Sequence, residues 1–232
     1  MGSKKLDTLN RSLIRCHRCP RLVAWREAVS RNKRANFREW TYWGRPVPGF
    51  GDPAARLIIV GLAPGAHGSN RTGRMFTGDA SGDFLYPALY RAGWANQPEA
   101  THRDDGLRLR DCYITAVVRC VPPKNRPTLE EIRNCLEWLH QEVALLPNRR
   151  VFLALGRIAH DGVCRLYRLR IRSYPFQHGQ VHRLPDGRWL LDSYHVSRQN
   201  TQTGRLTPAM FDAVLARAKA LLEPDGDLSS SP

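Results

Sequence analysis

Four short apolar runs divide the chain and set the limits on its fold. They are rich in β-branched residues and occupy residues 57–61, Cys112–Val118, Arg150–Leu155 and Arg188–Ser193. Such runs are typical of buried strands. Between and after them lie segments with the apolar spacing of helices: Ser81–Arg91, Thr128–Leu145, Arg157–Leu166 and Pro208–Leu222. This alternation predicts an α/β fold, in which a short, mainly parallel central sheet forms the middle of a single-domain, three-layer α/β/α structure. We expect the domain to span residues 1–222 and a disordered tail to follow at 223–232.

The predicted topology also indicates where a ligand would bind. Thr128 with Glu131 forms a capping-box pattern, and Thr207 before Pro208 is a favourable helix start. Ligands of parallel sheets bind at the carboxyl ends of the strands. The loops after Val60, Val118 and Tyr194 are therefore predicted to carry the chemistry.

The net charge indicates the kind of partner. The chain has 36 Lys and Arg residues against 21 Asp and Glu residues, a formal charge of +15, which favours a polyanionic partner. Residues 15–45 hold nine of the basic residues, and aromatic residues interleave with them, a combination suited to nucleic acid. A solvated basic face is the alternative. No long apolar span or secretory signal is present, so we expect a cytoplasmic protein without membrane binding. The aromatic residues are Phe37, Trp40, Tyr42 and Trp43.

Six cysteines are poorly explained by disulfides in a reducing cytosol. Cys16 and Cys19 form a C-x-x-C pair, and Cys120 and Cys135 follow much later. Four thiolates brought together bind either tetrahedral zinc or an iron-sulfur cluster, and their spacing does not choose between the two. Four unrelated thiols are the remaining alternative. Cys112 and Cys164 lie in apolar patterns, which predicts that they are core residues.

Five segments together resemble the uracil-DNA glycosylase superfamily, and specifically its iron-sulfur-containing type 5 branch. They are GLAPGAHG at residues 61–68, NRTGRMFTGDASGDFL at 70–85, YITAVVRC at 113–120, VPPKNRPT at 121–128 and YHVSRQNTQTG at 194–204. The resemblance covers nearly the whole chain, and the segments occur in the family's order. It implies an enzyme that flips deaminated bases out of DNA and hydrolyses the N-glycosidic bond. It also implies a structural [4Fe-4S] cluster held by Cys16, Cys19, Cys120 and Cys135.

The resemblance supplies candidate catalytic residues as well. The H-V-S histidine, His195, would donate a hydrogen bond to the departing base, on which negative charge develops. The polar residue that better-known branches carry in the first motif is replaced here by Ala63. Type 5 enzymes shift the handling of water to positions that correspond to Asp79 and Asn125. An aspartate before Ala-Ser-Gly can equally cap the following helix.

The base pocket and the DNA surface follow from the same motifs. Phe76 is the candidate for stacking on the flipped base, and the glycine-rich loop would approach the nucleotide closely. Uracil-selective branches place an asparagine where this chain has Ala116, so hypoxanthine is an expected second substrate. The pocket set is Gly61, Leu62, Ala63, Gly65, Phe76 and Ala116, and the DNA-contact set is Arg31, Lys33, Arg34, Ser197, Arg198, Gln199 and Asn200.

Two alternatives from other classes remain open at this point. A redox or radical iron-sulfur protein would need an open iron site or a motif for a second cofactor. A zinc-stabilised, non-catalytic nucleic-acid-binding module explains the charge and the cysteines but gives the strand-end motifs no role. We expect a monomer that acts on DNA containing deaminated bases.

Overall fold

The computed structural model describes residues 2–223, so the predicted tail lies outside the described residues except for Glu223. The helices are α1 (Gly2–Leu13), α2 (Pro20–Arg31), α3 (Ser69–Thr72), α4 (Ala80–Arg91), α5 (Leu129–Ala144), α6 (Arg157–Leu166), α7 (Arg198–Gln202) and α8 (Pro208–Leu222). The strands are β1 (Phe50–Gly51), β2 (Leu57–Gly61), β3 (Cys112–Ala116), β4 (Val151–Leu155), β5 (Val181–Arg183) and β6 (Trp189–Ser193). In this part of the chain, no helix combines the length and the apolar character needed to cross a membrane.

The six strands form one sheet in the order β1-β3-β2-β4-β6-β5. The four central strands are parallel, and the two short edge strands pair antiparallel to their neighbours. Each predicted strand therefore occurs, and the prediction of a mainly parallel sheet is confirmed. The carboxyl ends of β2, β3, β4 and β6 lie along the same edge of the sheet.

Helices cover both faces of the sheet, which confirms the three-layer α/β/α prediction. Alternate residues of the central strands point to opposite faces, as Ile58 and Ile59 do in β2. Helices α4 and α8 pack on one face, and α1, α2, α5 and α6 pack on the other. Buried Cys112 and Cys164 belong to these two cores, as predicted.

Helix starts follow the local sequence signals. Thr128 and Glu131 make both hydrogen bonds of a capping box at α5, and Thr207 Oγ1 accepts a hydrogen bond from the Met210 amide at the start of α8. The sequence patterns did not predict α1 and α2. These two helices are stabilised by tertiary packing, because Leu6 and Leu22 are buried in the core against the face that carries α5.

Candidate active site

The loops predicted to carry the chemistry meet at the carboxyl edge of the sheet. Gly61 at the end of β2 pairs with Ala116 at the end of β3, and both are buried. Gly156, which follows β4, lies against His195, which follows β6. The loops that follow these neighbouring parallel strands therefore lie close together at this edge of the sheet.

Phe76 forms a wall of this site. Its backbone has the left-handed φ of +51°, and its amide donates a hydrogen bond to Ser69 Oγ at 3.0 Å. The ring lies over Gly61 so closely that a Cβ there would be 2.8 Å from the ring Cζ. The ring centroids of Phe76 and His195 are 6.2 Å apart. The aromatic wall and the candidate donor thus face the same space.

The two carboxylate oxygens of Asp79 have different surroundings. Oδ1 accepts hydrogen bonds from the amides of Ser81 and Gly82 at 3.0 and 3.2 Å, which caps α4. Oδ2 accepts none from the described residues and lies against Gly65 and Gly68, where a Cβ on Gly68 would overlap it. Burial raises the pKa of Asp79, and the two amide hydrogen bonds oppose that rise. The cap and the chemical role are therefore compatible in one residue.

His195 is held by its own loop. Its carbonyl accepts a hydrogen bond from Asn200 Nδ2 at 2.8 Å, and Ser197 Oγ accepts the Asn200 amide to cap α7. Burial lowers the pKa of His195 to about 4. The ring is therefore neutral at physiological pH and offers one N–H as a donor. Ser197 and Asn200, both in the predicted DNA-contact set, make contacts that hold this loop.

A buried histidine network supports β6 just before His195. Nδ1 of His160 lies 2.8 Å from Asp192 Oδ1, and Nε2 lies 2.8 Å from the Tyr174 carbonyl, so both ring nitrogens must donate. Burial opposes protonation, but the hydrogen bond and the charge of Asp192 raise the pKa of His160 to about 10. His182 completes a group of three possible ligands within 4.8 Å. Both ring nitrogens of His160 are engaged, so the three residues form a buried hydrogen-bond network behind β6.

Asn125 differs from the other two candidate catalytic residues in its surroundings. It is exposed at the end of a short 3-10 turn, with a left-handed φ of +54°. Its side chain makes no hydrogen bond to any residue that the structure describes. The geometry brings Phe76, Asp79 and His195 to one edge of the sheet, and it gives Asn125 no contact with them.

The aromatic residues among the basic residues pack onto the protein itself. Phe37 and Trp40 enclose the guanidinium of Arg71, and Tyr42 Oη lies 3.0 Å from His67 Nδ1. Trp43 donates its indole N–H to the Pro46 carbonyl. These rings therefore have partners within the protein, and contact of this segment with nucleic acid stays a prediction. Arg31, Lys33, Arg34, Arg198 and Gln199 are exposed.

Sequence patterns missed Arg71 and Ser69, although both lie in or beside the NRTGRMFTGDASG segment. Ser69 holds the Phe76 amide, and the Arg71 side chain is buried beside Asp79. Leu62 and Ala63 continue from β2 and are half-buried. The unusual density of polar residues in a buried segment was the available signal.

The four candidate ligand cysteines meet beside the end of β3. They line one small cavity of about 20 Å³. Two of the sulfurs already accept hydrogen bonds, Cys120 Sγ from Arg26 Nη1 at 3.1 Å and Cys135 Sγ from the Arg119 amide at 3.2 Å. The cavity also lies beside a buried ion pair between Arg119 and Glu142.

The spacing of the sulfurs distinguishes between kinds of metal centre. Thiolates on a single tetrahedral zinc lie about 3.8 Å apart, as follows from a Zn–S bond of about 2.3 Å. Within the described residues, no three of the four sulfurs lie within 4.8 Å of one another. The sulfurs are therefore spaced more widely than four thiolates on one zinc ion.

Comparison with known proteins gives a consistent result. The chain is 61% identical over 210 residues to the type-5 uracil-DNA glycosylase of Thermus thermophilus, which covers 90% of this chain and 95% of that protein. It is 49% identical to the type-5 uracil-DNA glycosylase of Pyrobaculum aerophilum, over 92% of both chains. The type-4 uracil-DNA glycosylase of the same organism is 39% identical over only 54% of this chain.

A sequence model of the uracil DNA glycosylase superfamily matches residues 48–219. This range contains all six strands, because β1 begins at Phe50 and β6 ends at Ser193. It also contains Phe76, Asp79 and His195. On this match and on the identity to its relatives, the chain belongs to the uracil DNA glycosylase superfamily.

Proposed function

We propose that the protein is a uracil-DNA glycosylase that flips uracil out of DNA and hydrolyses its N-glycosidic bond, leaving an abasic site. The observation that carries this proposal is the pairing of the Phe76 and His195 rings beside the loop after β2, against which the Asp79 carboxylate also lies. Several relatives that match almost the full chain are named type-5 uracil-DNA glycosylases.

The side chains suit the charges that develop in this reaction. Negative charge develops on the departing base. The neutral imidazole of His195 can donate a hydrogen bond to a base oxygen and so stabilise this charge as it develops. Positive charge builds on the sugar, and Asp79 Oδ2 can hold the attacking water by accepting a hydrogen bond from it. Phe76 stacks on the flipped base.

Release of free uracil from a uracil-containing oligonucleotide tests the proposal directly. We expect an abasic product that alkali cleaves, with no release from a matched oligonucleotide carrying thymine. Tight DNA binding without base release would instead support a non-catalytic nucleic-acid-binding module.

We also propose that Cys16, Cys19, Cys120 and Cys135 hold a [4Fe-4S] cluster. The gathering of the four thiols around one cavity supports this proposal. When bound, the cluster would tie the segment between α1 and α2 to the end of β3 and to α5. Arg26 and the Arg119 amide would donate hydrogen bonds to its thiolates.

Loss of a single ligand is expected to destabilise the protein more than it changes the chemistry. Cys135→Ser should lose iron and lower the melting temperature, because metal-binding free energy contributes to folding. Cys164→Ser, a buried cysteine in the core, is the control that should retain iron. Iron and sulfide analysis of anaerobically purified protein decides the matter, and stoichiometric zinc without iron would contradict the cluster.

DNA affinity is expected to fall steeply with salt, because Lys and Arg contacts displace counterions from phosphates. Reversing the charges of exposed Arg31, Lys33 and Arg34 should reduce the slope of log K against log salt by about 0.9 for each lost phosphate contact. The ratio of affinities for different damaged bases should stay unchanged, since phosphate contacts carry no sequence information.

Fluorescence anisotropy with labelled duplexes measures this slope. Arg108→Glu with Arg110→Glu is the matched control, because both residues are exposed and precede β3 at the opposite edge of the sheet. An equal loss of slope in the control would mean that the effect is one of net charge and not of a defined DNA surface.

We further propose that the pocket accepts hypoxanthine as well as uracil. Ala116 is buried at the end of β3 in the same apolar cluster as Phe76. An amide at this position would be left unsatisfied by a base with the wrong edge, and that penalty would enforce selectivity. Alanine imposes no such penalty.

Ala116→Asn is therefore expected to reduce hypoxanthine release relative to uracil release. Ala116→Leu is the control, because it adds similar bulk without an amide. Single-turnover release from matched oligonucleotides measures both activities. If the unmodified protein releases uracil alone, another group recognises the base edge.

We infer that the protein acts in the cytoplasm and as a monomer. A DNA substrate supports the first inference. The second is supported by the fact that one chain supplies every side chain of the proposed site.

A further inference from the structure

Arg71 is a buried cation enclosed by two aromatic rings. It is 3% exposed, and its guanidinium carbon lies 4.0 Å from the ring centroids of both Phe37 and Trp40. Nε donates a hydrogen bond to the His67 carbonyl at 2.7 Å, and Nη2 donates one to the Gly78 carbonyl at 2.8 Å. Nη1 is buried and has no partner among the described residues.

The two carbonyls that Arg71 binds flank the free oxygen of Asp79. His67 directly precedes Gly68, which lies against Asp79 Oδ2, and Gly78 directly precedes Asp79. One side chain thus connects the two backbone segments that meet at this oxygen. We propose that Arg71 is a positioning residue for Asp79, which holds the backbone on both sides of the carboxylate and places a positive charge beside it.

The charges around Asp79 make this role necessary. Burial raises the pKa of the carboxyl group, and the negative charge of Asp83 on the same helix adds to that rise. Hydrogen bonds from the amides of Gly82 and Ser81 lower the pKa of Asp79, and the positive charge of Arg71 lowers it as well. Removing this cation should raise the pKa of Asp79 further. The titratable or charged groups near the Arg71 guanidinium are Tyr42, His67, Arg34 and Asp79.

The aromatic pair keeps Arg71 in place and dry. Because the side chain is buried and the nearly perpendicular rings of Phe37 and Trp40 lie against two sides of the guanidinium, water screens its charge less than it would at an open surface. The pair belongs to the segment that also carries exposed Lys33 and Arg34. The basic segment therefore contributes to the site through its aromatic residues.

Three substitutions separate positioning from a purely structural role. Arg71→Gln removes the positive charge. Arg71→Lys keeps the charge but loses the planar guanidinium and its two backbone hydrogen bonds. Trp40→Leu removes one of the two aromatic rings that contact the guanidinium. Arg103→Gln is the matched control, because Arg103 is an exposed arginine stacked on Trp43 and is not linked to either segment.

The measurements are the acid limb of single-turnover uracil release and the carboxyl titration of Asp79 by carbon NMR in the free protein. The Asp79→Asn spectrum identifies the signal. For Arg71→Gln we expect both transitions to move to higher pH, because a nearby opposite charge is lost. Arg71→Lys should leave the acid limb nearly unchanged but lower the rate by about tenfold or more through misplacement. Arg103→Gln should change neither.

The NMR titration separates this inference from the proposed function on which it rests. If the unmodified protein releases no base but the Asp79 pKa rises in Arg71→Gln, the proposed function fails and the positioning role stands. If base is released and neither transition moves in Arg71→Gln, the positioning role is overturned. Should Arg71→Gln fail to fold, Trp40→Leu decides, with a smaller upward shift expected and an unchanged titration overturning the inference.

Discussion

Replacing His195 with alanine is expected to lower the single-turnover rate of uracil release by about 10²–10³-fold, the usual loss for a donor that stabilises a developing anion. Folding and DNA binding should persist, because the loop around His195 is held through its backbone. The Asn200 side chain binds the His195 carbonyl, which the substitution leaves in place. Quench-flow measurement of free uracil, with enzyme in excess, isolates the chemical step from product release.

The protonation state of His195 sharpens this prediction. Because burial lowers the pKa of the ring to about 4, the donor is a neutral imidazole over most of the working pH range. Its contribution should therefore be independent of pH until the solution approaches pH 4. His195→Gln keeps an N–H donor and should recover part of the lost rate. Near-normal release by His195→Ala would remove the central assignment.

Asp79→Asn is expected to lower the rate by about 10²–10⁴-fold, the usual contribution of a well-placed group that handles a proton or water. The protein should remain as stable as the original or become more stable. Asparagine caps a helix as well as aspartate does, and the cost of burying a carboxylate disappears. The pair of results would separate chemistry from capping at a single residue.

The pH dependence of that stability gain has a definite sign. Burial raises the pKa of Asp79, so the folded state holds this proton more tightly than the unfolded state. The unmodified protein therefore loses stability as the pH rises through the folded pKa. The advantage of Asp79→Asn should be present at neutral pH and vanish in acid. Urea denaturation across pH measures the free energy of unfolding.

Two further variants test the capping half of this argument. Asp79→Ala removes the cap and should cost about 1 kcal/mol relative to Asp79→Asn. Thr207→Ala removes the equivalent cap of α8 and should cost a similar amount without slowing base release. If Asp79→Asn released uracil at the original rate, capping would be the whole role of the residue.

The parts of the fold that sequence patterns predicted are those in which burial and local signals agree. Strands β2, β3 and β4 are buried along their full length, so their apolar composition marks them in the sequence, and β2 occupies the predicted residues 57–61. Helix α5 begins where the Thr128–Glu131 box requires. The polar helix α1 has no such signal, because a few side chains such as Leu13 carry its packing.

The site divides in the same way. Motif order predicted Phe76, Asp79 and His195, whose types suit stacking, water handling and anion stabilisation. It did not predict that Phe37 and Trp40 would enclose Arg71, because that contact joins segments that are distant in sequence. Aromatic residues among cations suggest contact with an external partner. The three-dimensional structure shows in addition that Phe37 and Trp40 contact the buried guanidinium of Arg71.

The separation of the four cysteines along the chain has a consequence for biosynthesis. Cys16 and Cys19 leave the ribosome more than a hundred residues before Cys135 does. At about 5–20 residues per second, that delay is on the order of ten seconds. Throughout it the first two thiols have no partners with which to complete the cavity, and the end of β3 that orders Cys120 does not yet exist. For the proposed cluster to form, the early thiols must therefore stay reduced in the nascent chain until Cys135 has been synthesised.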